Sequence, residues 1–136
     1  MPVETVRVSQ SARDELLRLR RATGIQNWNV LCRWAFCRSL SDPTVPTVVQ
    51  IATDSSVEMT WKVFAGKYSE IYWALLRARL HRDQIPLTEE NLALYFRLHL
   101  HRGIGALSAS HRKKTLIRDN YSGRSTTTIL AGVVPG

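Results

Sequence analysis

Residues 24–38, GIQNWNVLCRWAFCR, decide how the first part of the chain turns onto the rest. Gly24 closes a helical pattern, because glycine readily takes the left-handed conformation that ends many helices. Asn27 is then placed as the N-cap of a second helix, where its side-chain oxygen can accept a backbone N–H. A helix start flanked by arginines is typical of a phosphate site, and the alternative is an ordinary corner between two helices.

The second helix is predicted to end at Ser41-Asp42-Pro43, since the residue before a proline is disfavoured in the helical conformation. Arg33 falls outside its buried face, and we expect Cys32 and Cys37 as reduced, buried thiols. Helical spacing assigns the following residues to that face: Val30, Leu31, Trp34, Ala35 and Cys37.

The segment before Gly24 predicts a strand and a helix. Residues 3–8 alternate apolar and polar side chains, as a half-buried strand does. Ser9 or Ser11 can cap the helix that follows, which ends near Thr23. Its apolar stripe consists of Ala12, Leu16 and Leu19. Strand, helix, glycine turn and helix is the order of a ribbon-helix-helix module, although other domains share it.

Beyond residue 56 the sequence predicts a second strand and a helix. Residues 57–63 alternate, and we expect this strand to pair with the first, within the chain or from a neighbour. The helix begins at Lys67 or Ser69 and ends at Arg82. Its residues 71–76 are apolar all round, which indicates a subunit interface as well as a core. The predicted interface residues are Ile71, Tyr72, Trp73 and Leu76.

A last helix is predicted to begin at Thr88 and to break or end at Gly103-Ile104-Gly105. We read His99 as a core histidine and His101 with Arg102 as surface. The predicted fold class is therefore mainly α with a small β element. We expect residues 1–107 to form one domain that includes the oligomer interface, and residues 108–136 to form a basic, weakly ordered tail.

The net charge of +8 is concentrated at the two ends of the chain. Residues 1–41 carry seven arginines against three acids, and residues 97–136 carry seven basic residues against one acid. Such concentration indicates a polyanion partner, with solubility as the alternative. Fifteen of the nineteen basic residues are arginine, which suits bidentate phosphate contact. The candidate DNA-binding residues are Arg18, Arg20, Arg21 and Arg33, together with Arg7.

Patterns for catalysis are missing from the sequence. No nucleophile stands beside a base in a known motif, and there is no phosphate-binding glycine loop. His and Cys residues do not cluster at metal-ligand spacing. We therefore expect no enzyme activity, no cofactor and no metal. An apolar run near 18 residues is also absent, so we expect no membrane span and a cytoplasmic protein.

Four segments resemble the DndE family of the bacterial DNA phosphorothioation system. They are residues 16–25 (LLRLRRATGI), 29–33 (NVLCR), 70–76 (EIYWALL) and 95–105 (YFRLHLHRGIG). The resemblance covers residues 3–107. This chain departs from the family in a longer turn after Gly24-Ile25 and in a longer, more basic tail.

The resemblance implies a non-catalytic DNA-binding subunit of a machinery that replaces a non-bridging phosphate oxygen of DNA with sulfur. It further implies a homotetramer, a preference for nicked duplex DNA, and partners in DNA sulfur modification: a cysteine desulfurase, sulfur-transfer enzymes and an ATPase-like protein. Two alternatives remain open. One is a ribbon-helix-helix transcriptional regulator that reads bases through Thr5 and Arg7. The other is an assembly scaffold for the modification enzymes.

Overall fold

The structure is a computed structural model, which describes residues 3–122. These residues contain two short strands and five α-helices. The elements are β1 (Thr5–Arg7), α1 (Gln10–Thr23), α2 (Trp28–Leu40), β2 (Glu58–Thr60), α3 (Trp61–Ala65), a 3-10 turn (Gly66–Tyr68), α4 (Ser69–Arg82) and α5 (Glu89–Ser122). The predicted fold class, mainly helical with a small β element, is confirmed.

Helix α1 forms as its sequence predicts. The Ser9 hydroxyl accepts the backbone N–H of Ala12 at 3.1 Å and caps the first turn. Gly24 ends the helix with φ of 76°, and its N–H donates to the Arg20 carbonyl at 3.0 Å. The predicted apolar stripe, Ala12, Leu16 and Leu19, is buried.

The two strands pair antiparallel within the chain, in the register Thr5–Thr60, Val6–Met59 and Arg7–Glu58. The strand predicted over residues 57–63 is shorter, because the Thr60 hydroxyl accepts the N–H of Val63 and starts α3. Trp61 therefore belongs to a helix, and it is buried with Phe64. The alternation of residues 57–63, which resembles that of a single strand, comes from two elements, β2 and α3, which meet at Thr60.

The buried face of α2 differs from the predicted one. Trp34 is 51% exposed and Cys37 is exposed, so only one of the two free thiols, Cys32, is buried. The buried residues are Leu31, Cys32, Ala35, Phe36 and Ser39. The cause is the position of α5, which crosses α2 directly over Ala35 and excludes large side chains there.

Helix α5 runs without a break through Gly103 and Gly105 to Ser122, so the predicted break is wrong. A Cβ at Gly103 would lie 1.6 Å from the Ala35 carbonyl oxygen. Gly103 is thus required by close helix contact and does not terminate the helix. The predicted boundary after Leu107 falls inside α5, and residues 123–136 of the predicted tail lie outside the described residues.

Aromatic rings fill the space between α2, α3, α4 and α5. Phe36 and Phe64 each lie 5.2 Å, centroid to centroid, from Phe96. Trp61 stacks on Trp73 of α4 at 4.6 Å. These pairs join the short α3 to the two long helices, so the core is continuous from the strands to α5.

We expect Gly103→Ala to lower the free energy of unfolding by at least about 2 kcal/mol, because the new methyl group overlaps the α2 backbone. Gly105→Ala is the matched control, since a Cβ there meets only Glu15 Oε2 at 3.8 Å. The control should stabilise the protein by up to about 1 kcal/mol through helix propensity. Denaturant unfolding of both variants measures this, and equal effects would contradict the close crossing.

Candidate nucleic-acid interface

The Gly24 corner, residues 18–28, is where α1 ends and α2 begins. Asn27 occupies the predicted N-cap position, but its side chain makes no capping hydrogen bond and is exposed. That part of the prediction is wrong. Arg20 instead covers the helix start: its guanidinium carbon lies 4.6 Å from the Trp28 ring centroid, and its Nε donates to Gln26 Oε1 at 3.1 Å. The corner thus pairs a preorganised cation with an uncapped helix N-terminus.

Arg18 and Arg21 extend the positive charge along the outer face of α1. Both are exposed, and the nearest acid to Arg18 is Glu15, at 4.0 Å. Arg21 makes no ion pair or hydrogen bond with any described residue. The guanidinium groups of Arg18, Arg20 and Arg21 therefore lie within two helical turns of Gly24 and are unneutralised or only weakly paired.

The structure does not bring the other two predicted arginines to the corner. Arg33 is half-buried on another face of α2, with its guanidinium 3.5 Å from the position of a Cβ on Gly66. Arg7 is ion-paired to Glu58 on the neighbouring strand. The intervening helix α1 is about 21 Å long, so Arg7 lies at the opposite end of it from Gly24.

Two further arginines, Arg79 and Arg102, serve the fold. Arg79 is only 5% exposed, pairs with Asp83 at 2.8 Å, and donates to the Leu40 carbonyl at 3.0 Å. Arg102 donates to the carbonyls of Ser39 and Thr44, each at 2.9 Å. Both cap the C-terminus of α2 and the connector after it, so they are not free to bind DNA. Arg102 was predicted as surface, and the i, i+4 spacing of Arg79 and Asp83 was the one sequence signal for this cluster.

His99 and His101 of α5 are both held by the fold. His99 is fully buried, which confirms the prediction, and its Nδ1 lies 2.8 Å from the Ser39 hydroxyl oxygen. His101 is half-buried, and its Nε2 accepts the N–H of Ser9 at 3.1 Å, so its surface assignment is wrong. Among the described residues, no group of three or more His, Cys, Asp and Glu side chains could hold a metal ion.

The predicted oligomer interface lies on α4 and is only partly accessible. Ile71 is 55% exposed, whereas Tyr72 and Trp73 are half-buried. Leu76 is fully buried in the core of the chain itself, so its side chain does not reach a partner. Leu75, which the prediction omitted, is 42% exposed. Ile71 and Leu75, four residues apart on one helix face, form the apolar surface of α4.

No helix of residues 3–122 is both long and apolar enough to cross a membrane.

Comparison with known proteins identifies the family. Residues 5–115 match the model of the family described as DNA sulphur modification protein DndE. The chain belongs to the DndE family. The resemblance predicted from four sequence segments is therefore confirmed. A search of curated proteins gave no match.

Solved DndE structures share the fold. The crystal structure of DndE from Escherichia coli B7A, involved in DNA phosphorothioation modification, matches with a TM-score of 0.65 and 22% sequence identity. That match covers 79% of this chain and 98% of the other. A glycine-to-lysine mutant of DndE involved in DNA phosphorothioation matches with a TM-score of 0.59 and 20% identity, over 76% of this chain and 95% of the other.

Burial of His99 makes stability depend on pH. Desolvation, and then the charges of Arg79 and Arg102, lower its pKa from 6.5 to about 4. Between these values the unfolded chain binds a proton that the folded chain does not, so stability is full above pH 6.5 and falls toward pH 4. We expect a loss of up to about 3 kcal/mol from this group. Burial lowers the pKa of His101 too, which acts in the same direction.

Denaturant unfolding between pH 7 and pH 4 measures the loss, and NMR titration of the His99 ring assigns it. His99→Gln should flatten the pH dependence, because it removes the buried group whose pKa is lowered. A His99 ring that titrates near its ordinary value in the folded protein would contradict the argument.

Proposed function

We propose that this chain is a non-catalytic subunit of the DNA phosphorothioation machinery that holds duplex DNA by its phosphate backbone. The observation that carries the proposal is the arginine group of the Gly24 corner, Arg18, Arg20 and Arg21, which the fold leaves available. Membership in the DndE family supplies the process in which this binding takes part.

The chemistry of the corner suits phosphate. Arg20 is fixed over Trp28, so less side-chain entropy is lost when it binds an anion. The first-turn N–H groups of α2 lack a capping side chain and carry the positive end of the helix dipole. Contacts of this kind hold the backbone and carry no base information, so we expect binding with little sequence preference.

Base reading through the strands has less support. Arg7 is neutralised by Glu58, and β1 pairs with β2 of the same chain. A ribbon-helix-helix regulator would need Thr5 and Arg7 available for base edges. If the chain were only an assembly scaffold, the corner arginines would serve solubility and would be freely solvated. Arg20 is instead held against the Trp28 ring.

The proposal includes self-association and protein partners. The exposed pair Ile71 and Leu75 on α4 supports a homo-oligomer, for which the family resemblance implies a tetramer. Other DNA sulfur-modification proteins of the bacterial cytoplasm are the proposed partners. A preference for nicked duplexes belongs to the proposal as well, because a nick lets the duplex bend across a broad basic surface. No cofactor or metal takes part in it.

The combined variant Arg18→Ala, Arg20→Ala and Arg21→Ala should weaken binding to unrelated duplexes by similar factors. Each lost phosphate contact reduces the slope of log K against log salt by about 0.9, so up to about 3 units should be lost in all. Fluorescence anisotropy across a salt series measures this, on nicked and intact duplexes of one sequence.

Arg7→Ala is the matched control, because Arg7 is an arginine at the far end of α1 that already has an acidic partner. The control should leave the salt slope unchanged. If the chain were a transcriptional regulator, Arg7→Ala would instead weaken DNA binding, and only to one operator sequence. Binding of the triple variant as tight as wild type at physiological salt, with an unchanged melting temperature, would rule out the corner.

For the oligomer, Ile71→Glu should split the assembly while the chain stays folded, because an exposed position tolerates the charge and a buried interface does not. Leu87→Glu is the control, since Leu87 is equally apolar and 46% exposed but lies outside α4. Light scattering gives the masses. A wild-type mass of one subunit at micromolar concentration would refute the oligomer.

A further inference from the structure

The edge of β1 that faces away from β2 has no strand beside it in the part of the chain described. Trp61 donates its backbone N–H to the Glu4 carbonyl, so the backbone groups of Glu4 point toward β2. Because these directions alternate along an antiparallel strand, the backbone groups of Thr5 and Arg7 point away from β2. No described residue bonds to the backbone N–H or carbonyl of Thr5 or Arg7.

A groove of about 460 Å³, the edge groove, runs along this free edge of β1. Five consecutive residues, 3–7, line one side of it. One face of α5 lines it as well, at the spacing i, i+3, i+4 and i+7, with Ala93, Phe96, Arg97 and Leu100. Phe96 and Leu100 are buried, so the floor of the groove is apolar. The edge groove thus lies between the edge of a sheet and a helix.

Two of the charged residues that line the edge groove neutralise each other, and two do not. Arg7 and Glu58 form an ion pair across the strands. Arg97 is half-buried and Glu4 is exposed, and neither side chain has an ion-pair partner among the described residues. A half-buried guanidinium without an anion keeps its N–H groups available for a carboxylate, to which arginine donates two parallel hydrogen bonds.

The backbone of an extended peptide matches this arrangement. N–H and carbonyl groups that recur at every second residue along a free edge are the groups to which an added strand bonds. Residues 3–7 span about 17 Å in extended conformation, which gives room for a strand of similar length. On the side that faces α5, an apolar side chain of the peptide would lie against Phe96 and Leu100, and an acidic one would reach Arg97.

We propose that the edge groove binds an extended segment of a partner protein, which adds a third strand to the sheet beside β1. The segment carries an apolar side chain for the floor of the groove and an acidic side chain for Arg97. The site is separate from the Gly24 corner, because β1 precedes α1 and the corner follows it, with about 21 Å of helix between them. It goes beyond DNA binding and provides a surface for protein partners.

Other occupants fit the edge groove less well. A DNA backbone would approach the carboxylates of Glu4 and Glu58 as well as Arg97, and these carboxylates repel phosphate. Strand β1 of a second copy would bring no apolar side chain to the floor, because Val6 and Val8 are already buried in their own chain. A separate peptide segment has both of its faces available.

The test begins with a displayed library of random short peptides, selected on the full-length protein. We expect the selected sequences to share an apolar and an acidic residue two positions apart, because alternate residues of a strand face the same side. A labelled synthetic peptide with the shared sequence is then titrated by fluorescence anisotropy. Its binding should slow amide hydrogen exchange at Thr5 and Arg7, whose N–H groups become bonded, as measured by NMR.

Three variants test the three parts of the edge groove. Arg97→Gln removes the charge, and Thr5→Pro removes an N–H that points away from β2, a position where a strand accepts proline. Each should weaken peptide binding by about tenfold or more. Ala93→Trp should block the groove by filling it.

Each variant has a matched control. Thr5→Ala keeps the backbone N–H, and Ala74→Trp places the same ring on an exposed position of α4 outside the groove. The corner variant, with Arg18, Arg20 and Arg21 all changed to alanine, keeps the edge groove. All three should bind the peptide as tightly as wild type. Circular dichroism and melting temperatures report whether each variant is folded.

The outcomes separate this inference from the proposed function. Selection of no peptide, or peptide binding that Arg97→Gln and Thr5→Pro leave unchanged, overturns the inference and leaves the proposed function standing. A smaller assembly mass for folded Ala93→Trp in light scattering assigns the groove to a second copy and overturns the inference. A flattened salt slope for DNA in Arg97→Gln, with peptide binding retained, assigns Arg97 to DNA and also overturns it.

Discussion

The contact between the backbones of α2 and α5 at Ala35 and Gly103 sets the positions of the other elements. Because Gly103 has no side chain and Ala35 has only a methyl group, the two axes approach closely, and α5 remains continuous through Gly103. Helix α1 then packs alongside α5, and the aromatic rings close the other side. The Gly24 corner is presented at one end of this pair, so its geometry depends on a contact made some two helical turns away.

At the other end of the helix pair, polar groups hold the structure. Arg79 and Arg102 both donate to the Thr44 carbonyl, and Asp83 and Asp42 provide the countercharges. Removal of Asp83 would leave the buried charge of Arg79 unpaired, which costs more than the pair contributes. The protein therefore uses its arginines in two ways. Arg79 on α4 and Arg102 on α5 are satisfied internally, whereas Arg18 and Arg21 near the end of α1 are exposed.

Local signals in the sequence were enough for α1 and for the order of the elements apart from α3. The Ser9 cap, the Gly24 terminator and the Ala12, Leu16 and Leu19 stripe each act within a few residues, so a sequence pattern contains them. The buried face of α2 was not predictable in this way, because α5, more than sixty residues later, selects it. The candidate site shows the same limit. The three corner arginines could be predicted because they lie close to Gly24 in the sequence. The ion pair of Arg7 with Glu58 could not, because it depends on the strand register.

The pairing of β1 with β2 has a consequence for the order in which the chain folds. About fifty residues separate Arg7 from Glu58, and the partner of Ala35 is more remote still. Contacts between residues far apart in sequence form late, since a long loop must close first. During synthesis, α1 and α2 leave the ribosome before α5, against which they pack, has been made. Apolar side chains such as Phe36 therefore stay exposed to solvent until α5 emerges. Folding of the whole domain is thus tied to the completion of its last helix.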